Sequence, residues 1–571
     1  MMKRSGILMP LFSLPGDYGI GDLGTCAYRF ADEVKACGAR IWQMLPLNPL
    51  GYGHSPYQPF SSAAGEPLFI DLGALFEEGL IAALPAPVPA SSKVDYDAVT
   101  AFKEPYFREA YGTFRRKRME RRKDYRAFLQ ESWVYPFAVF AALKKKNSLR
   151  PWNEWPEEAQ CYPERLSEAL KKAGLTACPA FPEAAGGVLP DPGVSREEIG
   201  YEVFLQYVFF RQFGRLRAYA RGLGLLLMGD IPFYCGHDSV DVWMNRDMFL
   251  LDSKGFPTSV AGVPPDYFSA TGQRWGNPIY DWEKMEADGF TFLKARMAGT
   301  ARLFDIIRID HFRAFDTFWK IPASCPTAIE GAWIEPPGYA FFDSLLPDLP
   351  GVEIVAEDLG MMRKEVYELR DHYGFPGMDV VEFTLTDPEF EVRDNMVVYT
   401  GTHDNDTVAG WWESLEDAGR DAVLEALRDL GFAVADYKDG EPLPERFFLE
   451  PVPPVKPEVP TSEGAAEGAP AGSGSVPCTD GKAEEDPAEK PSFRHFTPEE
   501  IAKLVTCAAL SLPPETAVIP VQDLLGLAGY ARINAPGVVD DVNWTWKLAE
   551  DAPFRKRIPE IRKMFEAFGR V

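Results

Sequence analysis

The sequence predicts an α/β fold built on a parallel sheet, and two observations carry that prediction. Seven short apolar runs, at 41–45, 225–231, 306–309, 354–356, 378–383, 397–400 and 517–521, are bounded by turn residues. Most end in polar or charged residues, as buried parallel strands do when their C-terminal ends open onto a site. Helical patterns rich in Leu, Ala, Glu, Lys or Arg lie between many of them, for example at 28–37, 204–223, 421–430 and 498–510. Alternation of this kind calls for crossover connections and a parallel sheet.

Periodicity alone leaves open whether the sheet closes, but the strand ends are informative. Asp230, Asp310, Glu357, His403 and Asp404 come from distant runs, and all fall at or just past C-terminal ends. That is the face on which (β/α)8 barrels assemble their sites. No Gly-x-Gly-x-x-Gly or Walker-type loop follows a strand, so a nucleotide-binding fold loses its main support.

Composition narrows the function. A chain of 571 residues, 46% hydrophobic, buries a large core. Its formal net charge of -26 repels phosphate backbones and anionic membranes, so neither nucleic acid nor membrane is an expected partner. The one basic run, Arg115-Arg116-Lys117-Arg118 with Arg121-Arg122-Lys123, is interleaved with Glu120 and Asp124 and reads as a solvated helix face. The eight cysteines are scattered, with no Cys-x-x-Cys and no Cys/His set at zinc-ligand spacing, so they read as reduced and mostly buried. Pro10 interrupts the first apolar stretch, and no later stretch approaches the roughly 20 apolar residues of a spanning helix. A cytoplasmic enzyme is the expectation.

Residues 1–571 are expected to form one catalytic domain with two insertions. The first, 75–200, is charged and mainly helical, with a continuous helix predicted over 107–133. The second, 232–300, is rich in aromatics, glycines and prolines without regular period, as suits substrate-binding loops. The stretch 451–491 is dominated by Pro, Glu, Ala, Gly and Ser and is expected to be a flexible loop.

Three segments carry chemistry. In Ile306-Ile307-Arg308-Ile309-Asp310-His311, strand alternation puts Arg308 and Asp310 on one face, where the guanidinium favours an ionised Asp310. A structural ion pair is the competing reading. In Ile354-Val355-Ala356-Glu357-Asp358, adjacent carboxylates end a strand and point in different directions; Glu357 has the reach of a general acid, while Asp358 fits a helix N-cap. Thr400-Gly401-Thr402-His403-Asp404-Asn405-Asp406-Thr407 is a dense set of donors and acceptors suited to sugar hydroxyls, or to a capped turn. Tyr57, Tyr267, Trp275, Tyr280 and Trp282 lie in irregular segments, where they could stack on sugar faces or simply pack.

Taken together with Trp42-Gln43-Met44-Leu45-Pro46-Leu47, Ser55-Pro56-Tyr57-Gln58, Gly229-Asp230-Ile231-Pro232, Gly262-Val263-Pro264-Pro265-Asp266-Tyr267, Gly272-Gln273-Arg274-Trp275-Gly276-Asn277 and Gln522-Asp523-Leu524-Leu525-Gly526, the chain resembles the amylomaltases of glycoside hydrolase family 77 over nearly its whole length. The resemblance implies a (β/α)8 barrel with inserted subdomains, no cofactor and no metal. It also implies Asp310 as nucleophile, Glu357 as general acid/base and Asp404 as transition-state stabiliser. Tyr57, Asp230, Arg308 and His403 would line the subsite of the cleaved sugar, Trp275 would belong to a loop on the acceptor side, and Asp266, Gln273 and Asn277 complete the implied substrate-binding set. Departures from the usual pattern are Glu66 in place of Asn, Ala63 in place of Phe, Lys547 in place of Arg, and the added stretch at 451–491.

The implied reaction is a double displacement with carboxyl groups about 5–5.5 Å apart, moving α-1,4-glucan segments to the 4-hydroxyl of an acceptor. A retaining α-glucan hydrolase and a non-catalytic glucan-binding scaffold are the rival readings.

Overall fold

The computed structural model describes residues 3–173, 189–265, 269–360, 362–435, 437, 439, 441, 443–452, 494–538 and 540–571. Eight parallel strands form one sheet: β1 (Arg4–Leu8), β2 (Ile41–Gln43), β3 (Leu226–Ile231), β4 (Ile306–Ile309), β5 (Glu353–Ala356), β6 (Gly377–Val380), β7 (Met396–Tyr399) and β8 (Thr516–Pro520). The ladder runs β6-β7-β8-β1-β2-β3-β4-β5, so chain order is spatial order around a ring. Between β5 and β6 the Ala356 N–H donates to Pro376 O at 2.8 Å and closes the barrel. Seven strands are those read from apolar runs; β1 is the eighth, hidden in the short opening stretch that Pro10 ends. Gly6 belongs there because a Cβ would come within 3.0 Å of both Ile41 and Val518 on the flanking strands.

Thr25–Ala36, Arg196–Gly222, Thr291–Leu303 and Pro498–Ser511 are among the helices that pack around the ring. Thr497 and Glu500 form a reciprocal capping box that starts the last of these where the sequence pattern places it.

The insertions depart from expectation in two places. The continuous helix predicted over 107–133 is instead Tyr96–Arg116 followed by the short Lys123–Phe128. The buried face of the first helix ends at Phe114, and Arg118 turns the chain through a left-handed conformation (φ 55°). A run of Arg and Lys without apolar residues at i+3 and i+4 has nothing to hold further turns against the core. Within and beyond the irregular 232–300 segment, Gln273–Pro278, Ser259–Val263, Phe318–Pro322 and Ala332–Ile334 form a second, antiparallel sheet in that order. Sequence alternation misses it because these strands carry Gly and Pro, shift register between Val260 and Gly262, and pair across some 60 residues. All but the first two residues of the stretch 451–491 lie outside the described residues, as do Asp266 and Tyr267.

Candidate active site

The register of the barrel sets the site. Asp230 on β3 is paired with Arg308 on β4, so both side chains stand on the same face of the sheet at one level. Arg308 Nη1 donates to Asp230 Oδ2 at 2.7 Å and to Asp310 Oδ1 at 3.0 Å. The Tyr57 hydroxyl, from the loop after β2, donates to the same Asp230 oxygen at 2.7 Å. Asp230 is buried beneath the cleft, where it orients Arg308 and Tyr57.

One residue beyond the strands the ladder continues. Ile309 pairs with Ala356; the Asp310 N–H donates to Ile231 O (3.0 Å) and the Glu357 N–H to Ile309 O (3.1 Å). Asp310 and Glu357 therefore occupy the next rung of adjacent strands, whose spacing in a sheet is about 4.8 Å. His311 then adopts a left-handed conformation (φ 55°). Its N–H donates to Glu357 Oε2 at 2.7 Å, and the Leu359 N–H donates to Glu357 Oε1 at 3.0 Å.

The adjacent Asp358 turns the other way. It accepts from the Met378 N–H (2.8 Å) and from the fully buried guanidinium of Arg370, bridging the β5–β6 seam. The helix that follows begins at Lys364, with Arg363 in the N-cap position, so the N-cap reading of Asp358 is corrected: five residues separate it from the helix, and its carboxylate is engaged at the strand seam instead. Met378, on β6, in turn presents its Sδ to Arg308 Nε at 3.4 Å.

Asp404 sits in the loop after β7. Its Oδ1 accepts from Asn534 Nδ2 at 2.6 Å and its carbonyl from Arg532 Nη2 at 2.7 Å. The His403 ring stacks on Tyr57 (centroids 4.9 Å apart, 10° between planes), with Trp544 packed against both. Trp275 meets His311 edge to face at 4.8 Å.

These residues surround a cleft of about 600 Å³. Tyr57, Gln273, Trp275, Asn277, Arg308, Asp310, Glu357 and Asp404 line it, whereas His403 and Asp230 stand behind its wall. Asn277 also braces the wall, its amide donating to Cys235 O at 2.9 Å. Tyr280 is a packing residue: it is buried and donates to Phe233 O. Glu66, one of the sequence departures, is buried and accepts from the N–H groups of Leu50 (2.8 Å) and Leu68 (2.9 Å), tying down the base of the loop that carries Tyr57.

Burial governs the electrostatics. It raises Glu357 to about 7, opposed by Arg308 and reinforced by Asp310. Burial also raises Asp310, to about 6, against the pull of Arg308. The expectation that the guanidinium would dominate at Asp310 is thus corrected in degree: desolvation outweighs it. Desolvation pushes both carboxyls up, and at Glu357 the neighbouring Asp310 adds to the push. Burial lowers His403, which stays neutral near pH 7.

Asn534, Arg532 and Trp544 escaped sequence reasoning. They lie in an irregular loop after β8, and no period or motif ties them to Asp404, 130 residues away for Asn534.

A (β/α)8 barrel with two carboxylates on one rung and a third across the cleft defines an enzyme built for acid/base work at its C-terminal face. The sequence model described as 4-alpha-glucanotransferase matches residues 9–178 and 193–552. The 4-alpha-glucanotransferase of Thermus thermophilus is 36% identical, with 100% of this chain and 99% of that protein covered. That of Aquifex aeolicus is 35% identical over the full length of both. Among solved structures, the amylomaltase from Streptococcus agalactiae in complex with acarbose superposes with a TM-score of 0.79 at 28% identity, covering 100% of this chain and 99% of that one. The chain belongs to the 4-alpha-glucanotransferase family and is a transferase acting on α-glucans.

Proposed function

We propose that Asp310 is the nucleophile, Glu357 the general acid/base and Asp404 the carboxylate that grips the sugar hydroxyls. Asp310 Oδ attacks the anomeric carbon as the C1–O4 bond breaks, and the Glu357 proton goes to the departing O4. An acceptor glucan then enters, Glu357 takes the proton of its 4-hydroxyl, and that oxygen displaces Asp310 with net retention. The observation that carries this reading is the shared rung of Asp310 and Glu357, whose strands are hydrogen-bonded neighbours about 4.8 Å apart, a spacing compatible with the carboxyl separation of about 5–5.5 Å that a retaining mechanism requires.

Arg308 and neutral His403, held by Asp230 and Tyr57, shape the subsite of the cleaved sugar. Trp275, Gln273 and Asn277 serve the acceptor side, and Asp266 joins the substrate-binding set on the resemblance alone. We assign the catalytic domain to the whole chain, with 75–200 as an inserted, mainly helical subdomain and 232–300 as an inserted substrate-binding loop subdomain. Six described cysteines are free, which supports a reducing compartment and a cytoplasmic location. No helix among the described residues is long and apolar enough to cross a membrane.

Maltotriose tests the reading. Transfer yields glucose plus longer oligomers at constant reducing ends, whereas steady growth of reducing ends would show a hydrolase. Loss of both activities in the natural protein would leave only a glucan-binding scaffold.

A further inference from the structure

The first insertion reaches the catalytic face through the segment that leads into its helix Tyr96–Arg116. That segment runs antiparallel to part of the loop after β8: Lys93 bridges Trp546, the Val94 N–H donates to Thr545 O at 2.7 Å, and the Lys547 N–H donates to Ser92 O at 3.0 Å. Tyr96 opens the helix, whose start is capped by the Asp95 side chain, so it stands on a rigid element. Its buried side chain reaches two loops at once. The hydroxyl donates to Trp544 O at 2.7 Å, in the loop after β8. The ring stacks on His54, three residues before Tyr57 in the loop after β2, with centroids 4.4 Å apart and 15° between planes.

Both partners hold strained backbone. Trp544 (φ 65°) and His54 (φ 56°) stand in the left-handed region, which bulky residues rarely adopt and which persists only where the surroundings enforce it. The Trp544 N–H donates to Ile533 O at 2.7 Å while its carbonyl accepts from Tyr96, so the residue is pinned from both sides. Its indole backs the Tyr57 and His403 rings at 5.6 and 5.9 Å. The neighbour of Ile533 is Asn534, whose side chain holds Asp404 and whose N–H donates to His403 O at 3.1 Å. One hydroxyl thus heads a short path of contacts to Tyr57, His403 and Asp404. Burial pushes its pKa well up, so it stays a donor at every working pH.

We propose that Tyr96, a residue of the helical insertion, is a positioning residue for the transfer reaction: it clamps the loops after β2 and β8 together and so fixes the wall of the cleaved-sugar subsite. The inference rests on the assignment of Tyr57, His403 and Asp404 to that subsite. Tyr96 does not line the cleft itself; it acts through Trp544 and His54. A wall held in place before substrate arrives needs no rearrangement as the transition state forms, and that is what the insertion contributes to the reaction.

Tyr96→Phe tests the proposal, because the ring and its stack remain while Trp544 O loses its donor. Steady-state kinetics are measured with maltotriose and with α-glucosyl fluoride, whose single ring occupies the cleaved-sugar subsite alone. Thermal unfolding verifies that the variant is folded at the assay temperature. The result expected is a fall of about 10-fold in kcat with both donors, the size of one hydrogen bond felt in the transition state, with KM changed less than about 2-fold. His54→Asn removes the stack but keeps a residue that tolerates the left-handed backbone, and should lower kcat in the same pattern by about 3-fold. If Tyr96→Phe fails to fold, this second variant decides. Unchanged kcat in a folded Tyr96→Phe overturns the proposal, as does a change confined to KM. A loss seen with maltotriose but not with α-glucosyl fluoride also overturns it, because the effect would then lie outside the cleaved-sugar subsite. Asp310→Asn, assayed alongside, keeps the two questions apart: retained turnover there sinks the catalytic assignment itself, whatever the Tyr96 variant does.

Discussion

Asp310 and Glu357 stand one residue beyond the registered pair Ile309 and Ala356, on the same rung of adjacent barrel strands. The spacing of the two carboxyl groups is thereby set by the hydrogen-bond ladder of the barrel instead of by loop conformation. Ladders are stiff, so the separation holds when substrate enters and leaves.

Asp310→Asn removes the attacking oxyanion while keeping shape and the Arg308 contact. Turnover of maltotriose should fall by about 10⁴-fold or more, with glucan affinity changed little. Product analysis and titration calorimetry check the two halves separately; wild-type turnover would refute the assignment of the nucleophile.

The pH profile follows from the two raised carboxyls. With Asp310 as the proposed nucleophile and Glu357 as the proposed acid, activity needs the first ionised and the second protonated, so kcat/KM should be bell-shaped with its maximum between about 6 and 7. With a donor whose leaving group needs no proton, such as a glucosyl fluoride, Glu357→Gln should remove the alkaline limb of the glycosylation step.

Stability carries the same signature with a definite sign. Glu357 is raised from 4.5 to about 7, so between those values the folded state binds more protons than the unfolded one. Stability from this group is full below about 4.5 and is lost as pH rises through 7. Glu357→Gln should therefore melt higher than the natural protein at pH 8 and close to it at pH 4.5, measured by thermal unfolding at both pH values.

Arg370→Met strands the buried Asp358 carboxylate at the β5–β6 seam. Breaking a buried pair in this way costs about 3–5 kcal/mol. The melting temperature should drop sharply, and Asp358→Asn in the same chain should recover part of the loss.

Asn534→Ala frees one oxygen of Asp404 without disturbing the barrel. A charge-assisted hydrogen bond contributes about 1.5–3 kcal/mol, so kcat should fall about 10- to 100-fold while the melting temperature moves little. Comparable losses in stability and rate would mean that Asn534 holds the loop together instead of aiming the carboxylate.

Seven of the eight barrel strands, the helices between them and the three carboxylate segments were legible in the sequence. Buried parallel strands are continuous apolar runs, and polar residues at their ends stand out against that background. The small antiparallel sheet was not legible, because its pairing joins Gly262 to Arg274 and Trp319 with a bulge between. The partner of Asp404 was not legible either, since Asn534 is one loop asparagine among many until the fold brings it within 2.6 Å.

By itself the sequence determined the alternation of strand and helix, the identity of the carboxylates and the family to which they belong, because each is written in local residue patterns. Tertiary structure decided which of Glu357 and Asp358 faces the cleft, how far burial raises Asp310 against Arg308, and which loop residue holds Asp404. Those outcomes depend on which distant groups end up within a few ångströms of one another and on how much water remains between them, and neither is encoded in any single stretch of chain.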